Sequence, residues 1–205
     1  VLAIDPSSSR SQGAILGDKT RMVELGRHER AFIRPTASSG ALGGVARSTK
    51  AAIVLCEAAG YTHVFVETVG VGQSETAVSQ MVDAFLFLAM PGTGDELQGI
   101  KKGILEMADL VAINKSEGDN APAAKRTRLE LQRALQLSTR NEFNWTPTIN
   151  LISALESQGF EELDGAIDQC IRHSRGQGWF EEKRRRQAEY WFEVEVQHSL
   201  RNVLQ

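Results

Sequence analysis

Asn114-Lys115-Ser116-Glu117 closes the apolar run DLVAI and places a carboxylate two residues after an Asn-Lys pair. At the end of a buried strand such a carboxylate can accept two hydrogen bonds side by side, from N1–H and the N2 amino group of guanine. Adenine lacks those donors and would leave the carboxylate unpaired, a mismatch that discriminates strongly. Asn114 and Lys115 are expected to brace the loop and the ring edge. Glutamate rather than aspartate at 117 advances the oxygens by about 1 Å unless the loop backs away. Further on, Ser153-Ala154-Leu155 follows another apolar run, TINLI, and is expected to bring the Ala154 N–H to guanine O6. Three such common residues mean nothing alone; their place after the next strand gives them weight.

A second group of residues suits phosphate and a hard cation. Glu67-Thr68-Val69-Gly70 follows HVFV in a strand-then-E-x-x-G form, in which the acidic residue reaches Mg²⁺ and the glycine N–H meets the terminal phosphate. Gly70 and Gly72 let the backbone approach a ligand closely. Asp5, at the end of VLAI, and Asp18 offer the oxygen ligands that Mg²⁺ demands. Asp5-Pro6 also serves as a simple turn after a strand, and glycine-rich turns between strand and helix are common. The phosphate-cradling pattern G-x-x-x-x-G-K-[ST] is not met. Its nearest match, GAILGDKT at 13–20, has three residues between its glycines and sets Asp18 ahead of Lys19. Such a loop joins a first strand to a first helix, and VLAID begins as a second strand would. A strand-loop-helix unit is therefore expected upstream of Val1.

These loops need strands to carry them. Short apolar runs at 1–4, 31–33, 63–68, 84–90, 109–114 and 148–153 alternate with helical patterns near 19–27, 44–59, 75–82, 99–107, 123–137, 160–174 and 179–204. That alternation predicts an α/β fold, a mostly parallel sheet with helices on both faces. Ligands of such sheets bind beyond the carboxyl ends of the strands, where all the loops above fall. Gly176 and Gly178 mark a linker, so a domain over 1–175 is expected to be followed by a C-terminal helix over 176–205. Ala188, Trp191, Phe192, Val196, Leu200, Val203 and Leu204 share one face of that helix, which packs either on the domain or on a second subunit as a homodimer. Within it the run KRRR at 183–186 is expected to be a solvated surface.

Composition narrows the class of protein. With 205 residues, 41% of them hydrophobic and 24% charged, the chain can bury one sizeable core. A net charge of −3 leaves no footprint for nucleic acid. The apolar run AFLFLAM falls well short of the ~20 residues of a membrane span, and no signal peptide is evident, so a cytoplasmic protein is expected. Cys56 and Cys170 lie far apart in helical patterns and are expected to be core residues. The four histidines show no metal-ligand spacing.

DPSSSRSQGAILGDKTRM, IRPTASSGALGGV, LCEAAGYTHVFVETVGVGQSE, GTGDELQGIKKGILEMADLVAINK and ISAL resemble the MeaB/ArgK family of GTPases, and the resemblance runs over nearly the whole chain. It implies a P-loop NTPase fold of the dimerising class that binds GTP and GDP with Mg²⁺. The ligands would be Asp5, Asp18, Glu67 and Thr68, with Arg21 near the phosphates. It implies three switch segments: Asp5 through Thr36, Glu67 to Glu75, and Gly92 to Lys101. Gln73 would position the attacking water, and Gln98 and Lys101 would couple hydrolysis to the partner. That partner would be an adenosylcobalamin-dependent acyl-CoA mutase, whose cofactor loading and protection the family gates. The cobalamin pattern D-x-H-x-x-G is absent, so the cobalamin would sit on the partner. Alternatives are a G domain fused within a mutase and an interaction module without turnover; an arginine or ornithine transport kinase is the least favoured.

Overall fold

The computed structural model describes residues 1–6, 22–38, 42–68, 74–92, 102–137 and 143–204. These form two compact units, Val1–Val82 and Asp83–Gln205.

In the first unit β1 (Leu2–Pro6) is the middle strand, with β2 (Arg34–Ser38) on one side and β3 (Val66–Thr68) on the other, all parallel. Leu2, Ala3 and Ile4 are buried in succession, as a strand covered on both faces requires. Along the chain the short helix α1 (Val23–Gly26) precedes, and the short helix α3 (Ser74–Ser79) follows, the long α2 (Leu42–Ala58). Buried Ala46, Thr49, Ala52, Ile53 and Cys56 recur along α2 at helical spacing, and that helix packs on β1 and β2.

Two expectations for this unit need correction. The second strand is Arg34–Ser38 rather than 31–33, because parallel pairing with β1 begins at Leu2 opposite Arg34. Ile33 is buried but precedes the ladder, and Pro35 is tolerated because β2 lies at a sheet edge. The third strand shrinks from 63–68 to Val66–Thr68, since Leu2 pairs with Val66 and β1 offers no earlier partner.

The second unit contains β4 (Leu86–Ala89), β5 (Leu110–Ile113) and β6 (Thr148–Leu151), parallel and in that order. β5 is fully buried, every residue at 0% exposure, which explains its unbroken apolar run. Its helices are α4 (Lys102–Met107), α5 (Ala121–Leu137), α6 (Phe160–Gly176) and α7 (Trp179–Leu204). Leu110 and Ala112 pack with Leu163, Ala166 and Cys170 of α6, while α5 also packs on β5 and β6. Both cysteines are free and buried, and burial together with the nearby Asp109 charge pushes the Cys170 thiol up to about 12, leaving it inert.

α7 divides into a docked half and a bare half. Trp179 stacks on Phe143, and the guanidinium groups of Arg175 and Arg184 each lie over the Phe180 ring. Of the run 183–186, Arg185 and Arg186 pair with Glu182 at the surface as expected, but Lys183 does not. Its ammonium donates to the Asp83 carbonyl at 2.9 Å and stands 3.5 Å from Asp109 Oδ2, an oxygen that also accepts the Phe85 N–H. Helical pattern alone cannot show a buried carboxylate 74 residues away. Beyond Trp191 the apolar stripe is bare: Phe192 is 70% exposed, Leu200 58% and Val203 83%. Within the described chain, nothing covers it.

Burial holds the Asp109 carboxyl above its ordinary range, with Lys183 opposing that shift. Lys183→Ala leaves the carboxylate nearly buried without its cation and is expected to cost about 2 kcal/mol, below the usual value for a fully buried pair because Lys183 is partly exposed. The pH dependence follows in sign. A carboxyl whose folded pKa exceeds its unfolded one favours the fold most at low pH, and this preference fades as pH rises through the folded value. Losing Lys183 raises that value further, so the variant's deficit is full near neutral pH and shrinks on acidification. Urea unfolding of both proteins at about pH 7.5 and about pH 5 measures it.

Candidate functional site

β5 and β6 end level, with Ile113 opposite Leu151, so the loops that follow leave the sheet together. Ile152 N–H donates to Ile113 O at 2.9 Å, and Ile152 O accepts both Ser116 N–H (3.2 Å) and Ser116 Oγ–H (2.8 Å). Ser116, given no role by the motif, therefore staples one loop to the other.

Asn114 is the hub of the arrangement. Its N–H donates to Ala89 O of β4 at 3.0 Å. Its side-chain oxygen accepts the Lys115 N–H at 2.8 Å and the Ala154 N–H at 3.0 Å. Lys115 sits at φ +58°, a left-handed conformation that costs a non-glycine residue about 1 kcal/mol and is held here by the amide oxygen beside it. Bracing by Asn114 was expected; its grip on Ala154 was not, since that N–H was assigned to guanine O6. A base edge arriving there shares or replaces the Asn114 acceptor.

Glu117 is extended and immediately precedes a 3-10 turn, Gly118–Asn120, that runs into α5, yet its carboxylate does not cap the turn. Instead Oε2 is buried with no hydrogen-bond partner. An unmatched buried acceptor costs about 1–3 kcal/mol, which a ligand donor would recover.

The second loop is built around Ser153, 1% exposed. Its backbone pairs both ways with Gln158, and its Oγ accepts the Glu156 N–H at 3.0 Å. Ser153 thus holds the loop's shape from inside, while Leu155 at its tip is 83% exposed. Gly159 closes the loop at φ +77°, where an added Cβ would lie 2.2 Å from Leu151 O. The sequence signals this requirement only as an unremarkable Gly before a helix.

In the first unit the metal candidates stand at a strand end. Thr68, half-buried, pairs with Ile4, and Asp5 follows on the neighbouring strand; Glu67 is exposed and opposite Ala3. Only the backbone of Asp5 is described, and Asp18, Arg21, Gly70, Gln73, Gln98 and Lys101 lie outside the described residues. Among the described residues no three His, Cys, Asp or Glu side chains gather into a metal cluster.

Parallel α/β units with an Asn-Lys-x-acid loop beside a Ser-Ala-Leu loop define a P-loop NTPase-type protein of the GTPase class, and comparison with known proteins agrees. The crystal structure of an LAO/AO transport system kinase superposes with a TM-score of 0.79 at 36% identity, covering 99% of this chain and 59% of that one. The chain belongs to the family described as methylmalonyl Co-A mutase-associated GTPase MeaB, which it matches over residues 1–205. Among its relatives, the mitochondrial methylmalonic aciduria type A homolog of Mus musculus is 48% identical over 200 residues, 98% of this chain and 48% of that protein. The GTPase ArgK of Escherichia coli is 46% identical over 204 residues, all of this chain and 62% of that protein. The chain thus spans about half the length of the curated relatives it matches. Guanine-nucleotide binding is the property this family implies. No described helix is long and apolar enough to cross a membrane.

Proposed function

We propose that this chain is the base-reading and switch-bearing part of a GTP-hydrolysing chaperone that serves an adenosylcobalamin-dependent acyl-CoA mutase in the cytoplasm. The observation that carries the guanine reading is the buried, unpartnered Oε2 of Glu117, held beside a loop pair that Asn114 ties together. Glu117 takes the N1–H and N2 amino donors, Asn114 and Lys115 brace the ring edge, and Ser153, Ala154 and Leu155 form the loop facing O6. Gly70 brings backbone close to phosphate, and Arg21 neutralises it.

The donor set Asp5, Asp18, Glu67 and Thr68 is all oxygen, which fits Mg²⁺. When bound, that ion neutralises charge developing on the transferred phosphoryl group. Gln73 orients the attacking water, and Gln98 and Lys101 pass the state of the site to the mutase. The family's description and the mouse relative's name support a mutase of the methylmalonyl-CoA type.

Calorimetry on the full-length gene product with GDP and ADP, and GTP turnover with and without such a mutase, test the proposal. GDP is expected to bind and ADP not, and turnover to change with the mutase. A preference for ADP defeats the guanine reading, while indifference to the mutase defeats the chaperone reading alone.

The bare stripe of α7 suits a second copy of the chain packed on residues 188–204. Phe192→Asp and Leu200→Asp are each expected to convert a dimer to a monomer by light scattering, while the monomer itself should stay folded because both side chains face solvent in the single chain. A wild-type monomer at working concentration ends the dimer reading.

A further inference from the structure

We infer that Thr127 is a positioning residue for the nucleotide site, holding the chain where it leaves β4. Thr127 lies on α5 at 1% exposure, and its Oγ accepts the Gly92 N–H at 3.1 Å across 35 residues of sequence. A valine would fill the same space with a similarly stiff β-branched side chain, so packing alone does not ask for a hydroxyl in this place. Gly92 sits at φ +80°, with nothing within 4 Å of an added Cβ. Its conformation is set by backbone need and by the Thr127 acceptor rather than by crowding.

The exit of β4 is thereby gripped twice: at Ala89 O by the Asn114 N–H, and at Gly92 N–H by Thr127. Both grips belong to one continuous stretch, since Asn114 leads through Glu117 and the 3-10 turn directly into α5. The helix that follows the base-reading carboxylate therefore also fixes where the chain leaves β4 at Gly92, at the carboxyl edge where ligands of such sheets bind. None of the hydrogen bonds made by Asn114 or Ala154 involves Gly92, so loss of the Thr127 grip is expected to leave base affinity little changed and to show in turnover instead. A misplacement of about 1 Å is enough to slow a reaction severely.

This inference rests on the guanine-nucleotide reading, and its test separates the two. In the full-length gene product, Thr127→Val removes the acceptor at nearly constant shape, and Thr127→Ser keeps it. With Val, the Gly92 amide is expected to exchange roughly tenfold faster, the loss of about one hydrogen bond. GDP affinity should stay within about threefold while kcat for GTP falls by at least about fivefold, and Ser should restore both. Thr127→Ala takes the place of Val if Val does not fold. Equal Gly92 exchange in all variants overturns the inference, as does an unchanged kcat. A joint fall of GDP affinity and melting temperature, not rescued by Ser, reduces Thr127 to a packing residue. If the wild-type protein turns over no GTP, the proposed function fails; Gly92 exchange then still decides the clamp, faster with Val but not Ser upholding it and equal exchange overturning it.

Discussion

Glu117→Gln is expected to weaken GDP binding to the full-length gene product about a hundredfold. The amide keeps the size of the side chain but loses the charge and turns one acceptor into a donor, which then opposes a guanine donor. Two charge-assisted hydrogen bonds become at best one neutral bond, a loss of about 3 kcal/mol, or two powers of ten in affinity. The loop itself should survive, because the staple from Ser116 to Ile152 O and the bonds to Asn114 Oδ1 do not involve Glu117. Removing the charge from an oxygen that is buried and unpartnered also relieves a desolvation penalty, so the melting temperature should hold or rise slightly. Glu117→Asp keeps the charge but withdraws it by about 1 Å and is expected to fall between wild type and Gln. Calorimetry with GDP, run beside thermal melts, measures all three proteins. Equal GDP affinity in wild type and Gln would show that the carboxylate does not meet the base.

Among the described glycines of the second unit, Gly159→Ala should give the largest stability loss, about 3 kcal/mol or more. Two costs combine at this position. A Cβ would lie 2.2 Å from Leu151 O and 3.2 Å from Ile152 Cα, backbone atoms that can yield only if β6 shifts. The residue also stands at φ +77°, which disfavours any L side chain. Gly165, in the middle of α6 with open space around it, is the matched control. There Ala removes backbone freedom from the unfolded chain and is expected to stabilise by about 0.5–1 kcal/mol. Urea unfolding distinguishes the two by both sign and size. Because Gly159 closes the loop that starts at Ser153, its variant should also weaken GDP binding.

Much of the site was readable from residue order. The apolar runs DLVAI and TINLI are short, unbroken and bounded by polar turns, so they declared themselves as buried parallel strands. That sets NKSE and SAL at the carboxyl ends of strands, while the pairing that makes those two strands neighbours and brings their ends level is seen only in the structure. The family likewise followed from long motifs quoted residue by residue, and the whole chain matches it. Pairing partners were harder to foresee. The run AFI is as apolar as many strands, yet the ladder begins at Arg34, because register depends on where β1 starts and not on local hydrophobicity.

The sequence by itself determined the alternation of strands and helices along the chain and the chemical character of the loops at the strand ends, since these follow from local patterning and from the obligation to pair every buried backbone group. Tertiary structure alone decided that Asn114 spends its amide oxygen on Ala154, that Lys183 leaves the solvated face for Asp109, that Thr127 holds Gly92 and that the α7 stripe stays uncovered. Each of those choices joins or leaves unjoined groups distant in sequence, and which distant group comes within hydrogen-bonding reach is settled only once the sheets and their helices are packed.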